Sequence, residues 1–81
     1  MSDHYAIYRD MLDESKDLEE EIRTALEKLD VTIYTVYVSV GDENTRQFFA
    51  DIEYGGSPEK YRRYRGLYTK AQLERKFLKE V

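Results

Sequence analysis

The sequence predicts an α+β domain: a long N-terminal helix, a small antiparallel sheet and a shorter C-terminal helix, in the order α-β-β-(β)-α. Three observations carry that expectation. Apolar residues recur at helical spacing as far as Leu29, the pattern switches at Val31 to β-branched and aromatic alternation, and a capping signature opens at Thr69.

Ser2 is an N-cap residue type, and Asp3 behind it suits the positive end of a helix dipole. From there Ile7, Tyr8, Met11, Leu18, Ile22, Ala25, Leu26 and Leu29 fall on one stripe at ~100° per residue, with Ser15 the small polar interruption. No glycine or proline precedes Gly41, so nothing breaks the helix early. The run "VTIYTVYVSV" (31–40) then favours strand over helix. "GDEN" (41–44) is turn chemistry, and "TRQFFADIEY" (45–54) returns as a second strand, giving a hairpin over 31–54. On that second strand Phe48, Ala50, Ile52 and Tyr54 form a mostly apolar face for the helix stripe to cover.

"GGSP" (55–58) interrupts the pattern. Ser57, Pro58 and Glu59, with Gly66 beyond, have the makings of a short capped helix. A third strand over 61–68 is the preferred reading, because two strands against a helix are marginal. Thr69-Lys70-Ala71-Gln72 has the form of a capping box, and Leu73, Phe77, Leu78 and Val81 give the last helix its apolar face.

This order is similar to that of the double-stranded-RNA-binding domain. In that family a lysine-rich segment opens the last helix and grips phosphates, and the first helix also touches RNA. Here the corresponding "TKAQLERKF" (69–77) has one lysine in its first turn and a glutamate at 74, and the first helix is acidic. The resemblance is one of topology, and no motif is shared.

Eighty-one residues imply a single domain over 1–81, small enough for its core to be marginal. The absence of cysteine excludes disulfides and thiol catalysis. No apolar run nears the roughly 20 residues that span a bilayer, and "MSDHYAIYRD" is unlike a signal peptide, so the expectation is a cytoplasmic protein with no membrane partner. For a phage-encoded chain that means the host cytoplasm.

Charge is distributed unevenly. Residues 1–30 hold ten Asp/Glu against four Lys/Arg, residues 31–56 four against one, and residues 57–81 three against eight. The segments carry -6, -3 and +5, which sum to the net charge of -4. Such a split bears on partners and association rather than on fold.

Catalytic and cofactor signatures are thin. His4 is the single histidine and reads as packed on the inner side of the first helical turn. No nucleotide-binding glycine loop occurs. Asp42, Asn44 and Glu53 outline a calcium loop, but Arg46 stands where a ligand is needed and Gln47 where glycine is needed, so the segment reads as a hairpin turn. The expectation is a non-enzyme with no cofactor and no metal.

Two features remain. Asp3, Asp10, Asp13, Glu14, Asp17, Glu20 and Glu21 project within an arc of about 120° on the first helix. Asp10–Glu14, Asp13–Asp17 and Asp17–Glu21 are like-charge pairs one turn apart, each costing ~0.2–0.5 kcal/mol. Such a ridge can mimic a line of phosphates and occupy a basic channel on a protein partner; the alternative is a solvated face screened by salt. The second feature is Tyr61, Arg62, Arg63, Tyr64, Arg65, Tyr68 and Lys70, where arginines offer phosphate contacts and tyrosines offer stacking faces for nucleic acid. Both together allow a homodimer in which the acidic ridge of one copy meets the basic tail of another.

The preferred expectation is a protein-binding module acting through Asp10, Asp13, Glu14, Asp17, Glu20 and Glu21, a small inhibitor or regulator of a nucleic-acid-handling protein. In size and charge it resembles phage-encoded inhibitors, anti-restriction and anti-CRISPR proteins among them. Nucleic-acid binding by the Arg/Tyr segment and self-association are the alternatives.

Overall fold

The computed structural model describes residues 3–78, with side chains from Tyr5 onward. The Ser2 cap and the Val81 contact lie outside the described residues, and the inward His4 and the Asp3 end of the acidic arc concern side chains outside the described ones.

The helical periodicity becomes α1, Asp3–Glu27, about 37 Å of helix. Met11, Ser15, Leu18, Ile22 and Leu26 form its buried stripe. Ser15 is accommodated because its hydroxyl donates to the Leu12 carbonyl at 2.7 Å, so its own polar group is paired inside the core. Two residues of the expected stripe lie elsewhere. Tyr8 is 41% exposed near the end of the helix that outreaches the core, and Leu29 is 54% exposed because the helix has already ended at Glu27. Leu29 N–H closes that end on the Leu26 carbonyl at 3.0 Å.

Three strands follow: β1 Thr32–Asp42, β2 Gln47–Gly55 and β3 Arg62–Thr69. They form an antiparallel sheet in the order β1-β2-β3, so the segment over 61–68 is indeed a strand and the short-helix alternative is not adopted. The hairpin turn falls at residues 43–46, later than its turn-rich sequence suggests. Asp42 Oδ1 accepts from Asn44 N–H at 2.9 Å, and Arg46 takes a left-handed φ of 54°, so Thr45 and Arg46 belong to the turn rather than to the strand.

The register shifts twice on β1, around Tyr34 and around Gly41. At Gly41 the backbone presses on β2: a Cβ there would stand 2.9 Å from both Gln47 O and Phe49 N. Glycine is what permits this bulge. Gly66 on β3 has room for a side chain but sits at φ 154°, a conformation other residues avoid.

Alternation sorts the sheet into two faces. Val36, Val38, Phe48, Ala50 and Ile52 turn inward and pack with α1 and with Leu73 in one core. Burying each large side chain of that set stabilises by roughly 1.5–3 kcal/mol. Tyr37, Phe49, Asp51, Arg63, Arg65 and Leu67 occupy the opposite, uncovered face.

β3 runs into α2, Lys70–Leu73, without a loop. The expected capping box forms: Thr69 Oγ1 accepts from Gln72 N–H at 3.2 Å, and Gln72 Oε1 accepts from Thr69 N–H at 2.8 Å. After this one turn the chain widens into a π-helical turn, Glu74–Leu78. Phe77 there meets Tyr64 edge-on at 5.4 Å between ring centroids and Tyr54 at 6.5 Å, extending the core beneath β2 and β3.

Candidate partner-binding surfaces

The acidic ridge lies on a flank of α1 that the sheet leaves open. Asp10, Asp13, Asp17, Glu20 and Glu21 are exposed, and among the described residues none of them forms an ion pair. Glu14 is different: half-buried, with its Oε2 at 3.4 Å from Lys70 Nζ at the start of α2. That contact joins the acidic and basic halves within one chain. From Asp10 to Glu21 the ridge spans about 16 Å at helical rise. Its carboxylates recur about every 3 Å along the axis, close to the ~3.4 Å per phosphate of one DNA strand.

The Arg/Tyr segment is divided by its own strand. Alternation sends Arg63 and Arg65 to the uncovered face, with Tyr61 at the same end, and turns Tyr64 and Tyr68 toward the helices. Arg62 donates to the Tyr61 carbonyl at 2.8 Å and the Glu59 carbonyl at 3.2 Å, folding back on the strand entry. Lys70 is held by Glu14. The named residues therefore divide between two surfaces.

On the uncovered face the arginines meet a carboxylate from the central strand. Asp51 Oδ1 lies 3.5 Å from Arg63 Nε, and Asp51 Oδ2 lies 3.9 Å from Arg65 Nε. The first contact is electrostatic, since Oδ1 is buried and no donor is aligned on it. Asp51 nonetheless raises the Arg63 pKa further above its ordinary value. Arg65 also stacks its guanidinium 5.8 Å from the Phe49 ring centre. Tyr61 donates its hydroxyl to the Glu53 carboxylate, and that bond to an anion raises the phenol's pKa. On the covered side, burial raises the Tyr54 pKa, with Tyr64 adding to the effect.

A feature invisible in the sequence is the clasp on the outer edge of β1. Glu19 on α1 accepts from the Val38 backbone N–H at 2.9 Å, and Arg23, one turn on, donates to the Val36 carbonyl at 3.5 Å. Only the position of β1 beneath that flank gives these two residues backbone partners. The helix thus supplies two of the hydrogen bonds that a fourth strand would make.

Among the described residues no helix is long and apolar enough to cross a membrane, and no three His, Cys, Asp or Glu side chains are grouped to hold a metal ion. The fold and these surfaces define a small α+β domain with a charged helix on one side and an open sheet face on the other. No protein-family model, curated protein or solved structure matches the chain.

Proposed function

We propose that the chain is a non-catalytic protein-binding module whose acidic α1 flank occupies a basic, nucleic-acid-contacting surface of another protein. It would thereby act as an inhibitor or regulator of that protein in the cytoplasm. The observation that carries this reading is the contrast in occupancy. Asp10, Asp13, Asp17, Glu20 and Glu21 face solvent without ionic partners among the described residues, whereas Arg63 and Arg65 already face Asp51. Like charges left side by side on a helix reduce its stability by a few tenths of a kcal/mol per pair. A basic partner converts that repulsion into attraction, and the phosphate-like spacing suits a surface that ordinarily holds nucleic acid. The resemblance in size and charge to phage-encoded inhibitors points the same way.

The test replaces Asp10, Asp13, Asp17 and Glu20 by lysine and confirms the fold by circular dichroism. Wild-type protein should capture nucleic-acid-binding proteins from a lysate, DNA should displace them, and the lysine variant should capture none. Equal capture by a folded lysine variant sinks the reading. Saturable, salt-sensitive binding of oligonucleotides to the wild type would transfer the function to the arginine face instead.

A further inference from the structure

Each edge of the sheet presents a row of backbone groups, and the register shows which residues supply them. Val38 N–H reaches Glu19, so it points away from β2. Alternation then directs the backbone groups of Tyr37 and Ser39 toward β2, opposite Asp51 and Phe49. β2 in turn directs those of Phe48, Ala50 and Ile52 toward β3, opposite Tyr68, Gly66 and Tyr64. What remains on β3 is the N–H and C=O of Arg63, Arg65 and Leu67, pointing away from the sheet. The Thr69 N–H agrees with this parity, since it too leaves the sheet and bonds to Gln72. No hydrogen bond among the described residues reaches the groups of Arg63, Arg65 or Leu67, and all three residues are exposed.

We propose that this free edge of β3 is a strand-addition site for an extended acidic segment of another protein. The inference stands apart from the acidic ridge and uses a different side of the molecule. Backbone pairing supplies the affinity of such sites, and the side chains on either face of the added strand supply the selectivity. Here both faces offer cations. On the uncovered side are Arg63 and Arg65, whose side chains are 47% and 62% exposed; both reach Asp51, and Glu53, bonded to Tyr61, stands opposite Arg63 on β2. On the helix side a shallow hollow beside β3 is lined by Tyr68, Gln72, Arg75 and Lys76. Residues 57–81 carry +5 as a whole. Glutamate or aspartate at successive positions of an added strand would therefore meet arginine or lysine on each side. A second copy of β3 fits less well, because pairing would bring the arginines of both chains onto one face, and like charges on neighbouring strands repel.

The experiment is an amide titration of the 15N-labelled protein with a blocked peptide alternating glutamate and valine. Controls are its lysine–valine counterpart and the acidic peptide N-methylated at alternate residues. The acidic peptide should shift the amides of Arg63, Arg65 and Leu67 and slow their hydrogen exchange, while both controls leave them unmoved. Replacing Arg63 and Arg65 by glutamine should weaken that binding about tenfold per arginine. The free protein provides a reading that needs no variant: the same three amides should exchange fast while Tyr64 and Gly66 are protected. Protection of all three without peptide means the edge is already covered, and protection that grows with protein concentration assigns it to a second copy; either overturns the proposal. So does an unmoved spectrum at about 1 mM peptide, the weak limit of specific recognition, or equal binding of the lysine peptide.

Discussion

The two outer strands of this sheet are treated differently. β1 lies beneath α1, and Glu19 and Arg23 bond to its Val38 N–H and Val36 carbonyl. β3 carries its arginines on the open side and presents the backbone groups of Arg63, Arg65 and Leu67 without partners from the described residues. Both devices oppose unwanted strand pairing, but by different physics. A clasp occupies the two backbone groups it reaches and blocks pairing there, whatever the newcomer's charge. A row of cations leaves those groups available and repels only like charge. The first edge is clasped at two groups, and the second is guarded by charge alone.

Several substitutions break or sharpen that contrast. The largest effect belongs to Leu18→Ala, which opens a cavity where α1 meets the sheet and should remove about 2–5 kcal/mol in urea denaturation. Because Leu18 adjoins Glu19, amide exchange on β1 should rise before exchange on β3. Gly41→Ala comes next. The added methyl meets β2 backbone at the bulge, and overpacking of this kind removes roughly 1–3 kcal/mol, measurable in the same denaturation.

Glu19→Ala tests the clasp itself. It should lower stability by about 1 kcal/mol, accelerate exchange at Val38 and leave Tyr64 and Gly66 unchanged. An accompanying rise in self-association with protein concentration would show that the clasp guards the edge. Lys70→Ala, which breaks the exposed pair with Glu14, should change stability by no more than about 0.5 kcal/mol.

Alkaline pH offers a separate reading of the β3 side. Tyr54 and Tyr61 hold their protons more tightly in the folded chain than the ordinary value of 10.0. Their contribution to stability is therefore complete below the unfolded value and is lost as pH rises through the folded ones. Tyrosinate absorbance should show these two phenols ionising above the ordinary value, and Tyr61→Phe should remove the Glu53-linked one.

Much of this architecture is legible in the sequence because it rests on local periodicity. Met11, Leu18, Ile22 and Leu26 announce α1, Phe48, Ala50 and Ile52 announce β2, and Thr69 with Gln72 announces α2. The turn position is less legible, since Thr45 is a strand former by type and Arg46 is no turn residue, yet both are drawn into the turn by Asp42 and a left-handed backbone. The acidic ridge follows from helical angles alone, and its exposure from Asp10 to Glu21 agrees with them. The basic segment was harder, because its meaning depends on parity. One residue of displacement on β3 would exchange the sides of Arg63 and Tyr64, and only pairing with β2 sets that register. The Glu19–Val38 clasp joins residues 19 apart in the chain through a backbone group, which no side-chain pattern records.

Thr69 is at once the last residue of β3 and the cap of α2. A hinge needs residues free to absorb a change in backbone angle, and here the strand ladder fixes one side of Thr69 while reciprocal cap bonds fix the other. Strand and helix are therefore joined without a hinge. The next residue, Lys70, is thereby held 3.4 Å from Glu14, in the middle of the acidic helix.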